Sequence, residues 1–231
     1  VITIPTTELI GGITDVLPIL SDPKTGGIKI NWDGECLHFT AYDIYSGGTV
    51  AWFPGEGAEG EFDDEEGAVE IDWGGDDSPW SVFIWADQAK EILKLFKLPA
   101  KLWRVPVTMK ASPTGDRLII ERTDSPRGER LLMLPTDNDH LNEIPDVANY
   151  AQDQDRSITA VTTATLAPAR LGAFGAVRPH GLMTMLFGLL SDPVEVRIGS
   201  RYAGFVYLAG AKNVHPYSLL RDGAGLVTSH G

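Results

Sequence analysis

Lys90, Lys94 and Lys97 recur at three- and four-residue spacing, which sets them on one face of a helix. Such a stripe can hold phosphate by charge, without reading bases. It sits in residues 85–104, W-A-D-Q-A-K-E-I-L-K-L-F-K-L-P-A-K-L-W-R. Ala89, Ile92, Leu93 and Phe96 supply the apolar face of the same helix. Pro99 marks its end, having no N–H to donate and disfavouring helix in the residue before it. Lys101 and Arg104 carry the positive charge further. An ordinary solvated face would show the same periodicity, so the stripe is a candidate and not yet a site.

The other residue types that do chemistry are scattered. His38, His140, His180, His215 and His230 show no metal spacing with another His or Cys. His38 falls in an alternating, strand-like stretch and is expected to pack. The single cysteine, Cys36, excludes an internal disulfide and a cysteine-rich zinc site. No G-x-S-x-G elbow, phosphate loop or dinucleotide fingerprint is present. Residues 55–60, G-E-G-A-E-G, mimic the last in spacing. Their glutamates would repel a pyrophosphate, and no helix follows. Asp63, Asp64, Glu65 and Glu66 lack the alternate-position ligands of a calcium loop. The expectation is therefore no catalytic residues, no metal and no cofactor. A magnesium-dependent nuclease using the acidic block is the enzyme alternative, disfavoured because that block is loop-like.

The elements that must position the lysines repeat along the chain. Thr6 or Thr7 can cap a first helix carrying Leu9, Ile10, Ile13, Val16, Leu17 and Leu20 at helical period. Gly11 and Gly12 weaken that helix unless something approaches its backbone closely. Strands follow at 27–32, 36–42 and 48–53, the first two joined by the turn pair Asp33-Gly34. A strand at 80–85 leads into the lysine helix, and strands at 105–110, 117–122 and 130–134 come after it. A strand at 158–165, a helix at 167–177 with Pro168 in its first turn, and strands at 182–187, 194–198 and 204–209 give the order a third time. Residues 54–77 read as an acidic loop with one strand candidate at 68–73. The domain expectation is 1–134 as two half-units, 135–156 as linker, 157–212 as a third half-unit and 213–231 as tail.

Formal net charge is −13 over 231 residues, and it is unevenly spread. Between Asn31 and Ala89 there are fifteen Asp or Glu and no Lys or Arg; from Lys90 onward seventeen Lys or Arg face fourteen Asp or Glu. A basic surface on an otherwise acidic protein confines phosphate to one place. No apolar run reaches the ~18 residues of a membrane span, and no signal peptide is evident, so an intracellular, cytoplasmic location without membrane contact is expected.

The repeated strand–helix–three-strand units resemble the bacterial β-type DNA polymerase sliding clamp, in a shortened form like those of bacteriophages. Residues 7–21 (T-E-L-I-G-G-I-T-D-V-L-P-I-L-S) look like its first helix. Residues 37–43 (L-H-F-T-A-Y-D) are similar to its strand ending in a T-A-T-D-like turn. Residues 82–98 resemble the strand and helix opening its second half-domain, 143–147 (E-I-P-D-V) its F-P-D-V passage, and 194–208 its closing strands. The resemblance implies an α+β fold with helices on one face of antiparallel sheets. It implies a non-catalytic processivity factor for DNA replication, encircling double-stranded DNA as a homo-oligomeric ring and binding polymerase and clamp-loader peptides. It puts Lys90, Lys94 and Lys97 toward DNA, with Lys101, Arg104, Arg170 and Arg178 as further candidates. It puts Pro193, Val194, Tyr207 and Leu208 near a partner-peptide pocket. Two departures accompany it: the first helix carries no basic residue, and three half-units are counted, so that a ring of twelve would need four chains, or three if residues 135–156 hide a fourth unit; a monomer or dimer without a closed ring is also open. The alternative is a clamp-fold interaction protein that binds a replication or recombination partner without encircling DNA.

Overall fold

Ile2 and Ile4 alternate with Thr3 and Pro5 and are fully buried. They form β1 (Ile2–Pro5), a strand too short for its alternation to stand out in the sequence. A computed structural model describes residues 1–20, 26–43, 45–54, 74–75, 78–98, 105–122, 130–145, 147, 168–178, 181–187 and 193–207. The expected strands at 68–73 and 158–165, the acidic loop beyond Pro54 and the tail lie outside these residues, apart from Gly74, Gly75 and Ser78 near the end of that acidic stretch.

In the first unit β1 leads into α1 (Thr6–Val16), then β2 (Gly27–Trp32), β3 (Leu37–Tyr42) and β4 (Ser46–Trp52). A two-residue strand β5 (Gly74–Gly75) follows. The second unit runs β6 (Trp80–Trp85), α2 (Ala86–Phe96), β7 (Pro106–Ala111), β8 (Arg117–Arg122) and β9 (Arg130–Pro135). The third supplies α3 (Pro168–Gly175), β10 (Met183–Leu186), β11 (Val194–Ile198) and β12 (Tyr202–Val206). All pairings are antiparallel.

Each of the first two units gives its leading strand away. β1 joins the sheet β5-β1-β7-β8-β9, with Ile2 opposite Met109. β6 joins β10-β11-β12-β4-β3-β2-β6, with Gly27 opposite Trp85. The exchange brings α1 against α2 over the two sheets. Leu9 and Ile13 of α1 and Ala89, Ile92 and Phe96 of α2 are fully buried there, with Ile28, Ile30, Val82 and Ile84 from the strands beneath. Each large aliphatic side chain so buried contributes about 1.5–3 kcal/mol.

Several local expectations change. Thr6 does not cap α1 by a side-chain bond; its hydroxyl donates to the Val105 carbonyl at 2.6 Å and so ties the helix start to the second unit. α2 stops at Phe96, three residues ahead of Pro99. Its end is held by the buried Arg122, whose Nη1 donates to the Phe96 carbonyl at 3.0 Å. A cation there also answers the negative end of the helix dipole. The polar segment after β9 is not wholly linker. A 3-10 turn at Asn138–Glu143 folds onto the sheet, with His140 stacked on Phe83 at 5.4 Å between ring centres.

The third unit continues the sheet of the first. β12 pairs with β4 so that Gly47 faces Phe205 and Gly48 faces Gly204. A Cβ on Gly48 would come within 2.0 Å of the Tyr202 hydroxyl, so the glycines are where two aromatic side chains lie against bare backbone. On α1 a Cβ at Gly12 would sit 2.3 Å from the buried Phe39 ring. The paired glycines thus mark close approach, which outweighs their cost to the helix. Among the described residues no helix is long and apolar enough to cross a membrane. Gly12→Ala should destabilise the fold by about 1–3 kcal/mol, because the ring it meets is enclosed on all sides; urea denaturation measures this.

Candidate nucleic-acid interface

α2 turns Ala86, Ala89, Ile92 and Phe96 inward, and this leaves Lys90 and Lys94 exposed along its outer flank; Lys97, expected on the same helical face, is exposed just past the last turn, where the backbone has left the helix. Lys90 forms an ion pair with Asp87 at 3.0 Å, on the same helix and open to solvent. Such a pair is weak and readily exchanged for another anion. Among the described residues the ammonium groups of Lys94 and Lys97 make no hydrogen bond or ion pair. Lys101 and Arg104 lie outside the described residues.

α1, beside α2, offers Glu8 and Asp15, and both are answered by arginines of the third unit. Asp15 is fully buried. Its carboxylate accepts from the Arg178 amide at 2.8 Å and from Arg178 Nε at 2.9 Å. Arg178 Nη2 also lies 3.5 Å from Glu8, and Arg201 donates to Glu8 at 2.8 Å and to the Ala51 carbonyl at 3.0 Å. Gly11 makes room for this network: a Cβ there would lie 1.9 Å from the Arg178 guanidinium carbon. The small residues of α1 therefore admit an arginine from the chain itself.

Arg170 is similarly occupied. It donates to Asp43 at 2.6 Å and stacks its guanidinium 4.7 Å from the Tyr45 ring centre. Asp43 is in turn fixed by the amides of Tyr45 and Ser46 at 2.7 and 2.9 Å. Arg170 and Arg178, named by sequence as possible phosphate contacts, are clips between the third unit and the first. The lysine stripe is left as the exposed cationic surface of the helix pair.

The residues named for a peptide pocket are spread differently. Pro193 and Val194 are buried, Val194 within the core opposite Val206. Tyr207 is half-buried, its amide donating to the Tyr45 carbonyl at 2.9 Å. Leu208 lies outside the described residues. A cavity of about 390 Å³ instead lies at the start of α2, lined by Trp85, Gln88, Asp116, Pro135, Thr136, Asp137 and Asp139.

One cluster escaped the sequence reading. On the outer face of the seven-stranded sheet, away from the helices, Asp33, Cys36 and His38 converge at the β2–β3 hairpin. Burial raises the Asp33 pKa, but the amides of Cys36 and Glu35, the Cys36 thiol and His38 together hold it down at about 2. Burial, then the hydrogen bond and charge of Asp33, push the Cys36 thiol up to about 12. The signal was D-G-E-C-L-H, a turn pair followed by two donors of one strand face. The Cys36–His38 spacing matched no familiar metal motif, and Asp33 was assigned only to the turn.

No protein-family model matches the chain, and no curated protein matches it in sequence. Solved structures do. The DNA polymerase sliding clamp of Bacillus subtilis superposes with a TM-score of 0.56 at 15% identity, over 89% of this chain and 63% of that one. The DNA polymerase III β subunit of Borrelia burgdorferi gives 0.58 at 10% identity, over 90% and 64%. That of Thermotoga maritima gives 0.55 at 11%, over 90% and 65%. The fold is that of the bacterial β clamp, and the chain spans about two thirds of the length of these clamps.

Replacing Arg178 with Met should cost about 1–3 kcal/mol, since it takes the guanidinium away from the buried Asp15 while leaving the amide of residue 178 in place; partial exposure of Arg178 keeps the loss below that of a fully buried pair. Lys94→Met and Lys97→Met should stay within about 0.5 kcal/mol of the parent protein. Chemical denaturation of the three variants separates structural from available cations.

Proposed function

We propose that this chain, with its β-clamp fold, is a DNA sliding clamp: a non-catalytic processivity factor that surrounds duplex DNA and tethers a polymerase. The observation that carries the proposal is the exposed lysine stripe of α2 on the helix face of an otherwise acidic molecule. Lys94 and Lys97 are free to meet phosphate, and Lys90 can exchange Asp87 for it. Contacts of this kind are independent of sequence and compatible with sliding. The acidic surface elsewhere repels DNA and keeps it at the stripe.

Ring formation rests on an edge. β9 pairs with β8 on one side only among the described residues, and it exposes Leu131 and Met133 at 63% and 55%. β4, the equivalent last strand of the first unit, is covered by β12. An edge that is paired in one unit and open with apolar side chains in the next suits pairing with another copy. With units 1 and 2 as one clamp-like domain (1–134) and the third at 157–212, twelve units would take four chains. A short apolar peptide from a polymerase or clamp loader is the proposed tether, with the partly exposed Tyr207 as one contact. In an intracellular setting, a phage-encoded form would act in the host cytoplasm.

Lys94→Glu together with Lys97→Glu should weaken binding to duplex DNA and reduce the slope of log affinity against log salt by about one per lysine. Unchanged affinity and slope would reduce the stripe to a solvated face. Leu131→Asp with Met133→Asp should lower the mass in sedimentation equilibrium while leaving circular dichroism intact. A parent protein that is a stable monomer would instead favour a clamp-fold interaction protein that never encircles DNA.

A further inference from the structure

Asp33 Oδ2, Cys36 Sγ and His38 Nε2 form a triangle with sides of 3.2 Å (Asp33–Cys36), 2.8 Å (Cys36–His38) and 3.1 Å (His38–Asp33). We propose that these three side chains bind one soft divalent transition-metal ion, of which zinc is the representative, at the β2–β3 hairpin. The site lies on the sheet face opposite α1 and α2, and it does not depend on the DNA-clamp proposal.

The hairpin builds the triangle. Gly34, at φ 104°, turns the chain so that Asp33 comes back over Cys36. Cys36 and His38, two residues apart, point to the same side of the strand. Leu37 and Phe39 point to the other side, into the core. Asp33 Oδ1 accepts from the amides of Glu35 and Cys36, each at 2.8 Å. Those bonds fix the carboxylate and leave Oδ2 aimed at the sulfur and the imidazole. Outer hydrogen bonds of this kind are what orient a metal ligand.

The triangle is poorly satisfied without a cation. Its three sides are served by at most two protons, one on the thiol and one on Nε2. At least one side must rely on a shared proton or bring lone pairs together. A cation at the centre removes that conflict. Tetrahedral bond lengths to N, O and S place such donors about 3.4–3.6 Å apart, so the two sides at Asp33 must open by a few tenths of an ångström and the Cys36–His38 side by about 0.7 Å. Asp33 and His38 have side-chain exposures of 44% and 27%, which leaves room to open. One thiolate, one imidazole and one carboxylate match zinc or cobalt, and exclude the all-oxygen preference of calcium and magnesium. On binding, the Sγ–H bond is replaced by an Sγ–metal bond and the proton leaves to solvent; no electron is transferred.

The test titrates the whole metal-free chain with Co²⁺ as the spectroscopic probe and Zn²⁺ as competitor. The expected result is one Co²⁺ per chain with a near-ultraviolet sulfur-to-cobalt charge-transfer band that Zn²⁺ abolishes. Cys36→Ser should remove the band, and His38→Ala should weaken Co²⁺ binding by about tenfold or more. Co²⁺ binding without that band, or binding that survives both substitutions, would overturn the site and assign the ion to carboxylates elsewhere. A measurement on the unsubstituted protein covers the case of a variant that fails to fold. Zn²⁺ should shift the His38 ring proton resonances at one equivalent, and resonances that stay in place would equally overturn the proposal.

Discussion

The reciprocal exchange of leading strands between the first two units is the constraint on which the rest depends. A helix on a three-stranded meander covers only part of one sheet face, and neither unit alone encloses a core. By lending β1 to β7–β9 and β6 to β2–β4, the units close both sheets and press α1 against α2. Thr6 and Val105 pin the crossing point through two hydrogen bonds. The packed helices then present one common surface, and the cations on it can act together.

Charge on that surface is sorted by the third unit. α1 carries two carboxylates, Asp15 and Glu8. Arg178 and Arg201 cancel them, and Gly11 admits the guanidinium. Burying Asp15 without a partner would cost several kcal/mol, so these arginines are committed. Arg170 is committed to Asp43 by the same logic. The lysines of α2 face no carboxylate comparable to Asp15, and their long stems keep the ammonium groups in water. Structural and available cations are therefore separated by what lies opposite them.

The two faces of the seven-stranded sheet have different characters for a local reason. In β3, Leu37 and Phe39 go to the core under α1, while His38 goes outward beside Cys36 and Asp33. Alternation alone sends a histidine to one face or the other; the turn at Gly34 decides that it meets a carboxylate there. The turn pair Asp33-Gly34 was legible in the sequence; that it returns the Asp33 carboxylate to His38 was not, and His38 was expected simply to pack.

The amino-acid sequence determined the short-range structure. Strands 27–32, 80–85, 117–122 and 194–198 match their observed bounds, and the lysine stripe and its apolar face follow from 3.6-residue periodicity. The repeated order of elements, and with it the clamp-like α+β fold, was legible because each element carries its own period. β1 was not, since four residues give too little alternation to detect. Nor was the packed turn at Asn138–Glu143, whose polar residues resemble a linker until Phe83 and Trp85 stand beneath His140. Tertiary structure alone decided which strands exchange, that β12 extends the sheet through β4, and which arginines are spent on Asp15, Glu8 and Asp43. These are contacts between residues about 50 to 190 positions apart, and local periodicity holds no information about such partners.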